Sequence, residues 1–157
     1  LAIDLDGFKP VNDTHGHAVG DRVLAAVARR INDAVTDRGM LARVGGDEFA
    51  AIVPLGNDSP TREIARGCAE DIRKALEQPI EIDGVSFAVG CSIGVAIIPD
   101  DASTLAGALA VADAALYEAK RAGRNRVIDH APPLAAEAFR GDAPVRQWAK
   151  LEMVGPW

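Results

Sequence analysis

The sequence is short of several things, and each shortage closes a route. It holds only two cysteines, Cys68 and Cys91, both in apolar surroundings. That is too few for the disulfide framework of a small secreted domain, so buried free thiols in a reducing cytoplasm are expected ahead of a single bridge. His15 and His17 lack cysteine or further histidine at ligand spacing, which argues against a zinc site. No apolar run reaches the length that spans a bilayer, and no signal-peptide pattern follows Leu1. Positive charge is scarce as well. Seventeen Lys and Arg against 23 Asp and Glu leave a net charge of -6, without the basic footprint that a nucleic-acid polymer requires, although a small nucleotide escorted by a divalent cation stays compatible. The chain opens on an apolar run without an initiator Met, so a segment of a longer protein is expected.

What is present is ordinary globular usage, 48% hydrophobic and 25% charged over 157 residues, enough for one domain with a sizeable core. Two apolar runs, Met40 to Val44 and Phe49 to Val53, flank Gly45-Gly46 and predict a β-hairpin. With the two glycines at the centre of the turn, Arg43 would lie opposite Glu48 and Val44 opposite Asp47, leaving the Asp47 carboxylate uncompensated at the tip. Leu1 to Leu5 reads as a buried strand, yet it carries Asp4 and is followed by Asp6, which period-two alternation puts on one side. An ionised carboxylate in a core strand asks for a cation. Asp4 from one strand with Asp47 and Glu48 from another would form an oxygen site suited to Mg²⁺ or Mn²⁺. Asp4 to His15 fails as a calcium loop, lacking Gly at its sixth place and Glu at its twelfth.

Helices are predicted over Gly20 to Val35, with Leu24, Val27, Ala28, Ile31 and Val35 inward; from Asp58-Ser59-Pro60 to Gln78, with Ile64, Cys68, Ile72 and Ala75 inward; and from Asp101–Ser103 to Gly123, with Leu105, Leu109, Ala112 and Leu116 inward. Phe8 to His17 is a loop or short helix, since Pro10 forbids a long one. Ile80-Glu81-Ile82 and Val85 to Ala88 bracket a second hairpin turn at Asp83-Gly84, Val89 to Ile98 reads as a buried strand, and Arg126 to Asp129 supplies a closing strand. Strands interleaved with helices and joined by hairpins favour an α/β (α+β) sandwich around a mixed, mainly antiparallel sheet.

Gly45-Gly46-Asp47-Glu48-Phe49, with Asp4-Leu5-Asp6-Gly7-Phe8-Lys9 and Asn12-Asp13 upstream, resembles the GGDEF family of diguanylate cyclases. Gly16-His17 with Gly20-Asp21, Ser92-Ile93-Gly94-Val95, Ala112-Asp113, Tyr117 to Lys120 and Gly123-Arg124-Asn125 are similar to that family's further blocks, in the same order. The resemblance runs to about Ile128. It implies a ferredoxin-like, polymerase-palm-like fold over residues 1–130 and condensation of two GTP into cyclic di-GMP across a homodimer. It implies Asp4, Asp47 and the carbonyl of Leu5 as ligands to Mg²⁺ or Mn²⁺, and Asp47, Glu48 and Lys9 as the catalytic set, with Glu48 near the 3′-hydroxyl. Asn12 and Asp21 would read guanine. Lys9, Lys120 and Arg124 would hold phosphates, with the backbone of Gly7, Phe8, Gly45 and Gly46 completing the cradle. Sensory or EAL phosphodiesterase domains are the expected attachments. The alternative is a GTP-binding regulatory module of little activity that controls such a domain. The family's usual Leu-Thr-Gly-Leu-type turn before the first strand is missing, and its Arg-x-x-Asp product-inhibition site is replaced by Thr36-Asp37-Arg38-Gly39. Residues 131–157, with Ala131-Pro132-Pro133 at their start, a short helical pattern over Leu134 to Phe139 and both tryptophans, read as a linker or tail.

Overall fold

The computed structural model describes residues 1–35, 39–56 and 61–129 and the backbone of 152–153. In chain order the elements are β1 (Ala2–Asp6), α1 (Phe8–His15), α2 (His17–Val35), β2 (Met40–Gly45), β3 (Glu48–Ile52), α3 (Thr61–Glu77), β4 (Ile80–Ile82), β5 (Val85–Phe87), β6 (Gly90–Gly94), α4 (Leu105–Arg121), β7 (Val127–Ile128) and β8 (Glu152–Met153). The central sheet has the order β7-β6-β1-β3-β2-β8, antiparallel throughout except for β6 beside β7. It is the mixed, mainly antiparallel sheet that the sequence pattern favours. The strands β4 and β5 form a separate hairpin.

Alternation along β1 divides the molecule. Ile3 and Leu5 enter the main core, where they join Val23, Val27 and Ile31 of α2 and Ala69, Ile72 and Leu76 of α3. Ala2 faces the other way and packs with Ala112 and Leu116 of α4. The residues that share its side of the strand, Asp4 and Asp6, are thereby aimed at the last turn of α4 and the loop after it. Arg30 of α2 reaches across to α3, donating to the carbonyls of Ala75 (3.2 Å), Gln78 and Pro79 (2.8 Å), which supplies partners for the C-terminal carbonyls that a helix leaves over.

Several expectations need correction. In α3 the buried side chains are Ala65, Ala69, Ile72 and Leu76, while Ile64 is 41% exposed; packing selects the face with small residues, which lets α3 lie close. In α4 the buried set is Ala108, Ala112, Ala114, Ala115, Leu116 and Ala119, and Leu105 is 45% exposed, because this helix touches the sheet almost backbone to backbone. Its N-cap is Thr104, whose Oγ1 accepts from the N–H of Gly107 at 3.1 Å, so the helix starts just past the predicted Asp101–Ser103. The predicted strand over Val89 to Ile98 is regular only from Gly90 to Gly94, and α2 starts at His17, earlier than expected.

The hairpin register also differs. Gly45 pairs with Glu48 and Arg43 with Phe49, with a bulge between Arg43 and Gly45. The turn residues are therefore Gly46 and Asp47, and Gly46 takes the left-handed conformation (φ 56°) that glycine adopts without a Cβ penalty. Arg43 does not face Glu48; its Nε donates to the carbonyl of Gly46 at 2.9 Å. The stretches 36–38 and 57–60, which hold most of the Arg-x-x-Asp comparison and the expected α3 cap, and the helical pattern in the tail lie outside the described residues.

Both cysteines are free thiols. Burial, with the charge of Asp6 adding to it, pushes the Cys91 thiol up to about 12, and burial raises Cys68 as well. An unfolded thiol ionises near 9.0, so in the window from there to about 12 the unfolded state loses a proton that the folded state keeps, and stability falls as pH rises. Thiol alkylation at pH 8 is expected to leave Cys91 unmodified in native protein and to modify both residues in denaturant, read by intact mass. Rapid native labelling of Cys91 would show that β6 is not held in the core.

Candidate active site

The row Glu48–Asp4–Ser92 crosses β3, β1 and β6 at one level, because Asp4 is registered opposite Glu48 on one side and Ser92 on the other. Cross-strand partners point to the same face. Asp4 is 7% exposed and Ser92 is fully buried. Two carboxylates directly opposite each other are unfavourable without a cation between or beside them, and α4 supplies one: Lys120 Nζ lies 2.6 Å from Asp4 Oδ2. Lys120 stands in the last turn of its helix, where the macrodipole favours a cation.

One step toward the end of β1, Asp6 occupies the same face. Its Oδ2 accepts from Ser92 Oγ at 2.9 Å and from the backbone N–H of Asn125 at 3.0 Å, while Oδ1 lies 3.7 Å from Arg124 Nε. The chain beyond Asp6 turns through Gly7, left-handed at φ 82°, into α1, where Phe8 is buried and Lys9 exposed. Among the described residues, and apart from the chain neighbours, no heavy atom lies within 4 Å of where a Cβ would stand on Gly7, Gly45 or Gly46. Backbone at both the β1–α1 and the β2–β3 turns is thus open to a bound group.

The turn is tied to β1 by the N–H of Leu5, which donates to the carbonyl of Asp47 at 3.1 Å. In a strand the N–H and C=O of one residue leave by the same edge, so the Leu5 carbonyl faces this turn too. Asp47 itself sits in the turn, partly exposed, and the side chain registered against Asp4 is that of Glu48.

Asn12 and Asp21 come from α1 and α2. Asn12 packs against Gly20, where a Cβ would stand 1.8 Å from Asn12 Oδ1 and 3.3 Å from Phe8 Cζ, and Asp21 follows Gly20 on α2 as an exposed side chain. The Asn12 amide fills the space a side chain would need. Among the expected site residues, then, Asp4, Leu5, Asp47, Glu48, Lys120 and Arg124 converge on the end of β1, while Asn12 lies on α1 against Gly20 and Asp21 is the next residue of α2. Sequence reading gave no role to Asp6, Ser92 or Gly20. Alternation along β1 was the available signal for Asp6; the contacts of Ser92 and Gly20 are long-range and left no local trace.

A family model described as diguanylate cyclase, GGDEF domain, matches residues 1–126. The chain belongs to the GGDEF family. Diguanylate cyclase A of Treponema denticola is 45% identical over 128 residues, 81% of this chain and 33% of that protein. The bifunctional diguanylate cyclase/cyclic di-GMP phosphodiesterase MucR of Pseudomonas aeruginosa is 40% identical over 125 residues, 80% of this chain and 18% of that protein. The crystal structure of the GGDEF domain of TpbB from Pseudomonas aeruginosa superimposes with a TM-score of 0.76 at 38% identity, covering 83% of this chain and 80% of that one. This GGDEF chain thus spans a third or less of the length of those two curated relatives. No helix among its described residues is long and apolar enough to cross a membrane.

For a metal, the donors gathered at the GGDEF turn are all oxygens: the carboxylates of Asp4 and Glu48 and the carbonyl of Leu5. Hard divalent ions take such ligands. No group of three or more His, Cys, Asp or Glu among the described residues could hold an ion by itself. The set fits a cation that completes its shell with water and substrate oxygens, which is the habit of Mg²⁺.

Proposed function

We propose that this domain condenses two molecules of GTP into cyclic di-GMP, releasing two pyrophosphates, with each protomer of a homodimer presenting one GTP to the other. The observation that carries the reading is the Asp4–Glu48 pair, faced by Lys120 at the open, glycine-lined end of β1. Each 3′-oxygen forms a bond to the α-phosphorus of the opposite GTP, the bond from that phosphorus to the pyrophosphate oxygen breaks, and the electron pair leaves with pyrophosphate. Glu48 would accept the 3′-hydroxyl proton. Lys120, Lys9 and Arg124 hold the phosphates, Lys as a point charge and Arg as a fork, while the backbone of Gly7, Phe8, Gly45 and Gly46 adds donors. Asp4, the Leu5 carbonyl and Glu48 or Asp47 would hold Mg²⁺ or Mn²⁺, which neutralises charge on the attacking and leaving oxygens.

Asn12 and Asp21 are assigned to guanine: a carboxylate accepts from its N1 and N2 donors and an amide serves as either partner. A Cβ at Gly20 would displace the mobile end of Asn12 and press within 3.3 Å of the buried Phe8 ring, so Gly20→Ala is expected to cost about 1–2 kcal/mol. It should also lower the preference for GTP over ATP by about tenfold, the scale of a lost recognition hydrogen bond. Competition binding with the two nucleotides and urea unfolding check the pair of outcomes, and an unchanged preference would remove Asn12 from base reading.

The domain is assigned to residues 1–130, with 131–157 as a linker or tail toward attached domains of a cytoplasmic signalling protein. The direct test is product mass and pyrophosphate release from GTP with Mg²⁺ across a range of protein concentrations. Cyclic di-GMP that rises more steeply than protein concentration supports a dimeric cyclase. GTP binding with no product at any concentration would replace it with a regulatory module.

A further inference from the structure

Asp6 is shaped for a task that its position in a strand does not explain. Its carboxylate is 12% exposed, and its bonds go both to a buried hydroxyl on the neighbouring strand β6 and, beyond the sheet, to the loop after α4. That loop is unusual. Gly123, Arg124 and Asn125 have φ of 110°, 62° and 46° in succession, and two consecutive side-chain-bearing residues in the left-handed region persist only where their surroundings over-determine them. The determinants are on view. The N–H of Arg124 donates to Ala119 O at 3.1 Å, closing the helix, and the N–H of Asn125 donates to Asp6. The Asn125 carboxamide lies at ordinary contact distance, 3.4 Å, from where a Cβ would stand on Gly90, the residue registered opposite Asp6. From Arg126 the chain rejoins the sheet, its carbonyl accepting from the N–H of Ile93 at 2.9 Å. The loop is thus fastened at both ends, and in the middle by Asp6.

We propose that Asp6 is a positioning residue for the triphosphate, pinning the α4–β7 loop so that Arg124 stands over the end of β1 beside Lys120. This rests on the functional reading above, in which Arg124 holds phosphate. Asp6 acts twice: as the acceptor that fixes the backbone at Asn125, and as the counter-charge that keeps the Arg124 guanidinium at the site before phosphate arrives. Ser92 orients the acceptor oxygen.

The test compares binding of a non-hydrolysable GTP analogue and of guanosine by calorimetry on the whole chain. Asp6→Ala is expected to weaken the triphosphate about tenfold, the scale of a lost charge-assisted hydrogen bond, with guanosine affinity within about twofold of the parent. Asp6→Asn, which keeps an acceptor for the Asn125 N–H but not the counter-charge to Arg124, should recover only part of the loss. In an Arg124→Ala background neither change should weaken the triphosphate further, because residues acting through one group are not additive. If Asp6→Ala does not fold, Asp6→Asn with and without Arg124→Ala carries the test: a loss that disappears in that background supports the assignment, and an additive loss, or none, overturns it. Equal triphosphate binding by Asp6→Ala and parent, or parallel loss of guanosine, would overturn it while leaving the functional reading intact. A parent chain that binds no GTP analogue would overturn both.

Discussion

Asp4→Asn is expected to lower cyclic di-GMP formation by about three orders of magnitude, the range seen when a group that stabilises charge in phosphoryl transfer is lost, and to leave the fold cooperative. The two effects separate for a physical reason. Asp4 is nearly buried, opposite Glu48 and against Lys120 at 2.6 Å. Removing one partner of a buried ion pair normally costs about 3–5 kcal/mol because a charge is stranded. Here Lys120 is a quarter exposed and Glu48 remains beside the vacated position, and asparagine keeps an oxygen for the ammonium. A loss of only about 1 kcal/mol is therefore expected. On the proposed function there is no such substitute: without Asp4 a metal would lose the carboxylate that β1 supplies, and Lys120 would no longer be balanced against substrate phosphates. Product yield from GTP and a urea midpoint, measured on the same preparation, decide the matter. Retention of a tenth or more of parental turnover would place the chemistry elsewhere than the end of β1.

Gly94→Ala is expected to destabilise the domain by about 3 kcal/mol or more, toward the upper end of overpacking penalties. A Cβ there would stand 1.9 Å from the carbonyl oxygen of Ala112 and 2.5 Å from the nitrogen of Leu116. Those are backbone atoms of α4 and cannot rotate aside, so the whole helix must lift. The same displacement carries Lys120 away from Asp4, and shifts near 1 Å at a positioned group cost about a hundredfold in rate. Gly90→Ala is the control, since the first atom its Cβ would meet is the Asn125 side chain at 3.4 Å; it should cost less than about 1 kcal/mol. Denaturant unfolding of the two variants gives the comparison. Similar midpoints would mean that α4 yields more readily than its alanine-lined contact suggests.

A good part of this molecule could be read without coordinates. Alternation placed Asp4 and Asp6 on one face of β1, the apolar stripe of α2 was correct at every position named, and Asp83-Gly84 and Gly45-Gly46 marked their hairpins. These features are local: a period or a turn residue states its own geometry. Where local signals competed, sequence reading chose wrongly. Larger apolar residues suggested Ile64 and Leu105 as inward positions, but the faces actually buried are rich in alanine, because close approach of a helix to its neighbour is decided by the neighbour. The hairpin register failed for a similar reason, since a bulge shifts pairing without altering composition.

The sequence by itself determined the chemistry available: which acids, cations and glycines exist, and in what order. Only the tertiary structure decided their company. It set Glu48, not Arg43, across from a carboxylate, brought Lys120 from α4 onto Asp4, and fastened the Arg124–Asn125 loop to Asp6 across a sequence separation of 119. Such pairings follow from strand order and helix packing, which depend on the burial of every stripe at once.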